Sequence, residues 1–75
     1  MEKLLKILSE IRPDLDFEND TTLVDGGSLD SFDMVSIIVA ISENYGVEIK
    51  GSDLTPENFN SAKAILDLIN RELGK

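Results

Sequence analysis

Cysteine and histidine are both absent from the 75 residues. Thiol nucleophiles, imidazole general bases, thiolate or imidazole metal ligands and any disulfide framework are therefore excluded. Chemistry in this chain must use hydroxyls, carboxylates or a borrowed group. No apolar run approaches the ~18 residues of a membrane span, and the opening MEKLLKILSEI has neither the apolar run nor the small-residue cleavage site of a secretory signal. A soluble, cytoplasmic protein is expected. With 41% hydrophobic residues, a chain of this length supports one domain, residues 1–75, with one modest core. A deep pocket for multi-step catalysis is not expected, so the chain reads as a non-enzyme.

Positive charge is missing from the middle of the chain. Of the 15 acids and 7 bases, nine acids (Asp14, Asp16, Glu18, Asp20, Asp25, Asp30, Asp33, Glu43, Glu48) and no base lie between Pro13 and Ile49. That segment holds a charge of −9 and the two ends together +1, for the net −8. Such a field repels nucleic acid and anionic membrane, and it steers encounters toward a basic patch on another protein.

What is present is helical periodicity. Leu4, Ile7, Leu8 and Ile11 recur at helical spacing until Pro13 ends the pattern, which predicts a first helix over about Glu2 to Ile11. A second helix starts near Asp30 or Ser31 and runs to Tyr45, where Gly46 suits the left-handed position after a helix end and Val47 can fold back on Ile41. Thr55-Pro56-Glu57 offers a capping hydroxyl before a proline at the first helical position, so a short turn is predicted over Pro56 to Phe59. Asn60 or Ser61 then caps a last helix with Ala62, Ile65, Leu66, Ile69 and Leu73 on one face and Gly74 just past its end. The expected fold is all-α, a small bundle of three main helices plus one short helix. Arg12 to Asp30 forms a long first loop that Leu15, Phe17, Leu23, Val24 and Leu29 anchor to the core. Unstructured connections of this length are uncommon and often functional.

The second helix is apolar on more than one side. With ~100° per residue and Ser31 at zero, Ile37, Met34, Ile41, Tyr45 and Ile38 span roughly −120° to −20°, a complete core stripe. Phe32, Val35 and Val39 lie at roughly +40° to +100°, bordered by Ser42 on one side and Ser36 and Glu43 on the other. So small a domain has little use for both strips in its own core, which leaves the second for a partner unless the long loop covers it. Ser31 stands where this strip meets the helix N-terminus. Free amides and the helix dipole favour an anion there, although the same hydroxyl could simply cap the helix.

The run Leu29-Asp30-Ser31-Phe32-Asp33-Met34-Val35, followed by an apolar helix ending Glu43-Asn44-Tyr45-Gly46-Val47-Glu48-Ile49, resembles the acyl carrier protein family over essentially the whole chain. The resemblance implies that Ser31 bears a phosphopantetheine arm taken from coenzyme A, and that a phosphopantetheinyl transferase recognises Asp30 and Phe32. It also places Val35, Ser36, Val39 and Glu43 at partner-facing positions. The implied partners are that transferase, an acyl- or aminoacyl-activating ligase, and a downstream acyltransferase or synthase with a basic docking patch. The cargo would be an acyl or aminoacyl group held as a thioester in a fatty-acid, polyketide, lipid or aminoacyl pathway, on a protein expected to be a monomer. The uncharged Ser36, Ser42 and Asn44 depart from the more acidic second helix of fatty-acid carriers, while Phe32 in place of the common Leu and Phe59-Asn60-Ser61 are similar to D-alanyl and other specialised carriers of cell-envelope or peptide-type pathways. Two readings from other classes are an acidic structural interaction domain without cofactor, and a calcium loop built from Asp14, Asp16, Glu18, Asp20 and Asp25. Asn19 stands where a calcium loop needs Gly, and Asp25 where it needs a bidentate Glu.

Overall fold

The described residues hold four α-helices and one 3-10 turn: α1 (Glu2–Ile11), α2 (Ser31–Tyr45), the 3-10 turn (Gly51–Asp53), α3 (Pro56–Phe59) and α4 (Ala62–Leu73). The computed structural model describes residues 1–74, and no strand occurs among them.

Local signals set the helix ends. At the end of α1, the Arg12 amide donates to the Leu8 carbonyl at 2.9 Å, and Pro13 follows. At the start of α2, Asp30 is the N-cap: its carboxylate accepts from the Asp33 amide at 2.8 Å, while the Asp33 carboxylate accepts from the Asp30 amide at 3.3 Å. This reciprocal box satisfies two amides that a helix start otherwise leaves open. Gly46 ends α2 at φ 68°, the left-handed region that a side chain disfavours. Ser61 caps α4 by accepting from the Ala64 amide at 3.0 Å. Thr55 precedes Pro56 as expected, but its hydroxyl makes no capping bond, and α3 begins on the fixed φ of the proline instead.

The core gathers Leu4 and Leu8 of α1, Ile37 and Ile41 of α2, Phe59 of α3, and Ala62, Ile65, Leu68 and Ile69 of α4. Val47 and Ile49, on the extended segment after α2, also enter it, with Glu48 between them pointing outward. On α4 the buried face differs from the expected one. Leu68 is buried, because α4 packs against both α3 and α1, whereas Leu73 at the end of the helix is 54% exposed.

α1 and α2 run antiparallel, and Lys3 of α1 and Arg12 just after it engage the two ends of α2. Lys3 donates to the Asn44 carbonyl at 3.0 Å and sits 4.5 Å above the Tyr45 ring. It supplies the positive charge that the last turn of α2 lacks. Arg12, just past the other end of α1, pairs with Asp33 in the first turn of α2.

Between them, residues 12–30 form the expected long loop. Phe17, Leu23 and Leu29 are buried, and Leu15 and Val24 pack against the core. The side-chain oxygen of Asn60 accepts from the Val24 and Asp25 amides, both at 3.0 Å, and its Nδ2 donates to Asp25 at 2.9 Å. The Asn60 carbonyl accepts from the Leu23 amide at 2.9 Å. Asn60 is thus a latch on the loop, and Ser61 does the capping.

Candidate functional site

The head of α2 brings Asp30, Ser31 and Phe32 together on the surface. Because the Asp30 carboxylate occupies the capping role, the Ser31 side chain is released from it. Ser31 is the first helical residue, it is exposed, and its hydroxyl has no hydrogen-bond partner among the described residues. The amides of Ser31 and Phe32, one turn short of any carbonyl acceptor, are open in the same way. An unengaged hydroxyl beside two free amides at a helix start can bear an anionic phosphodiester, which those amides and the helix dipole stabilise. Ser28, the other serine of this segment, is partly buried in the loop.

Phe32 is 80% exposed, and Val35 and Val39 are about half exposed on the same side of α2. Glu43 is exposed at the far end of this strip. Ser36 is half-buried, and its hydroxyl donates back to the Phe32 carbonyl at 3.2 Å, so it borders the strip with its polar atom already engaged. The loop leaves the strip bare, since its apolar side chains Leu23 and Leu29 are buried in the core while Phe32, Val35 and Val39 stay exposed.

Arg12, next to the site, carried no local signal. Arg12 holds both Asp14 oxygens, at 3.0 Å through Nε and 2.9 Å through Nη2, while its Nη1 donates to Asp33 at 2.6 Å and to the Ser28 carbonyl at 3.2 Å. The hydrogen bond from Arg12 holds the Asp14 carboxyl below the usual carboxylate range, and the same pairing raises the Arg12 guanidinium above its ordinary value. Asp33 is accordingly a closed ion pair, its side chain 13% exposed, and not a free acid of the surface. The remaining loop carboxylates are dispersed. Asp16 accepts from Asn19, Asp20 from Thr22 and Asp25 from Asn60, and among the described residues no group of three or more could hold a metal ion. No helix among them is long and apolar enough to cross a membrane.

Residues 2–69 match the family described as the phosphopantetheine attachment site. The chain is 35% identical over 74 residues to the acyl carrier protein of Buchnera aphidicola subsp. Schizaphis graminum, an alignment that covers 95% of this chain and 90% of that protein. Against the acyl carrier protein of Buchnera aphidicola subsp. Baizongia pistaciae it is 36% identical over 53 residues, covering 71% and 65% of the two chains. The fold and these matches define a phosphopantetheine-bearing domain, and the chain belongs to the acyl carrier protein family. It is a non-catalytic carrier with covalently attached phosphopantetheine. The open hydroxyl and amides at the head of α2 fit that group.

Proposed function

We propose that Ser31 is the attachment residue, that Asp30 and Phe32 are read by the phosphopantetheinyl transferase, and that Val35, Ser36, Val39 and Glu43 form the face on which synthesis enzymes dock. The observation that carries this reading is the unengaged Ser31 hydroxyl at the head of an uncovered apolar strip. In loading, Ser31 Oγ forms a bond to the pantetheine-bearing phosphorus of coenzyme A as the pyrophosphate bond breaks. Adenosine 3′,5′-diphosphate leaves with the electron pair, and the hydroxyl proton passes to a base of the transferase. Once bound, the arm supplies the thiol that this cysteine-free chain lacks, so that an acyl group travels as a thioester. Asp30 keeps Ser31 available by taking over the cap, and the exposed apolar side chains give a partner enzyme a surface to desolvate.

The 75 residues act as one carrier domain in the cytoplasm, serving an acyl or aminoacyl pathway. An acyl cargo has as its alternative one of the D-alanyl or another aminoacyl kind, since Phe32 is similar to the residue of those carriers and the uncharged Ser36, Ser42 and Asn44 depart from the more acidic second helix of fatty-acid carriers. Incubation with coenzyme A and a broad-specificity phosphopantetheinyl transferase should label the parent chain and Ser28→Ala and leave Ser31→Ala unlabelled. Label retained by Ser31→Ala would end this assignment. The intact mass of the protein from its native host should then show the arm plus the mass of its cargo.

A further inference from the structure

Ser31 lies between two carboxylates, Asp30 and Asp33, and loading adds a phosphodiester charge to the same turn. Among the described residues the base that pairs with this turn is Arg12, and the next base along the chain is Lys50. Arg12 distributes four hydrogen bonds over three places: Asp14 at the start of the loop, the Ser28 carbonyl three residues before Ser31, and Asp33 two residues after it. Asp33 passes the constraint on, because the oxygen that accepts from Arg12 also accepts from the Asp30 amide, and the Asp33 amide donates to the Asp30 carboxylate. A continuous chain of bonds therefore runs from Arg12 through Asp33 to Asp30, whose peptide carbonyl is bonded to Ser31.

We propose that Arg12 is a positioning residue for loading: acting through Asp33, it holds the junction between loop and α2 in one arrangement and neutralises a carboxylate of the same helical turn as Ser31. This rests on Ser31 being the attachment residue. Arg12 does not itself touch the reacting atoms. Its planar fork suits the task because Nε and Nη2 take both Asp14 oxygens and leave Nη1 for the Ser28 carbonyl and Asp33, four bonds where an ammonium has three donors. The side chain is about one third exposed, so water and salt weaken each single bond, and the effect comes from the geometry of the whole set.

Steady-state loading of the full chain by a phosphopantetheinyl transferase with coenzyme A separates this role from docking and from folding. Arg12→Met should lower kcat at saturating carrier by roughly 10-fold and leave KM within about twofold, the signature of misplaced reacting groups. Arg12→Lys should fall between it and the parent. Asp33→Asn should lower kcat comparably, and the double variant Arg12→Met/Asp33→Asn should lose no more than the worse single one, since both cut the same chain of bonds. In the unloaded chain, amide hydrogen exchange over residues 28–34 should quicken in Arg12→Met while residues 40–45 keep the parent rate. Parent kcat in Arg12→Met, a rise in KM alone, or losses that multiply in the double variant would each overturn the proposal. If Arg12→Met fails to fold by circular dichroism, Asp33→Asn and Arg12→Lys decide, and parent kcat in both overturns it. A parent chain that takes no label at Ser31 would instead remove the attachment assignment itself.

Discussion

On α2, Ile37 and Ile41 have no exposed surface, while Val35 and Val39, each two residues earlier, are half exposed and Phe32 is 80% exposed. Apolar residues lie on both sides of the helix, Met34, Ile37, Ile38 and Ile41 on one and Phe32, Val35 and Val39 on the other. The sides are separated by what packs on them: α1 lies against one, whose Ile37 and Ile41 share the core with the loop side chains Leu23 and Leu29, and nothing among the described residues covers the other. One side of the helix holds the domain together, and the other presents apolar area next to an open serine hydroxyl. Burial separates stability from recognition on a single element, and each can be perturbed without the other.

The largest expected effect breaks the inner side. Ile37→Ala or Ile41→Ala should destabilise the domain by about 2 to 5 kcal/mol, because each removes a fully buried side chain and leaves a cavity. Ile38, expected in the core stripe, is only partly buried and should cost less. Val35→Ala and Val39→Ala should stay within about 0.5 kcal/mol of the parent. Urea unfolding measures all five, and equal losses on both sides would erase the contrast.

An intermediate effect sharpens the outer side. Glu43→Lys, on the exposed strip, should raise KM for loading or for cargo transfer several-fold with little change in kcat, because a rim charge governs encounter. Glu2→Lys makes the same change in net charge on α1 and should do little. The Glu43 effect should shrink as salt rises, since exposed charges are screened beyond ~8 Å at physiological ionic strength. Equal slowing by the two variants would mean that acidity alone, and not this side of α2, draws the enzymes. Asp33→Lys is not a clean probe of the same field, because Asp33 is bonded to Arg12 and to the cap.

The smallest effect asks how much charge adds to an inner side built by packing. Arg12 lowers the Asp14 pKa in the folded chain, so this pair contributes stability that is fully present above the ordinary carboxylate range near pH ~4 and is lost as pH falls through the lowered value. The urea midpoint of Asp14→Asn should lie slightly below the parent at neutral pH and converge with it at about pH 2. A gap that persists in acid would show that the Asp14 side chain acts through something other than its charge.

Much of the fold is legible because its signals are local. The ends of α1 and α2 and the span of α3 follow from Pro13, Gly46 and Pro56, each of which acts on its own backbone. The motif around Ser31 was likewise readable, as was the division of α2 into two strips about its axis. Other features misled or stayed silent. Leu73 keeps the helical period of α4 but lies at its end, beyond the elements that bury the rest of the stripe, and Leu68 lies off that stripe yet is buried where α4 meets its neighbours. Asn60 and Ser61 are equally good caps by type, and the proximity of residues 23–25 directed Asn60 to the loop.

Composition, breakers and 3.6-residue periodicity by themselves determined an acidic, cysteine-free helical chain, its helices and the serine at the head of α2, because these depend on a residue and its near neighbours. Which strip of α2 faces water, that Asp33 is spent on Arg12, and that Asn60 latches the loop were decided by tertiary structure. These contacts join residues 21 to 36 positions apart, and no local period or propensity encodes which distant partner a side chain will meet.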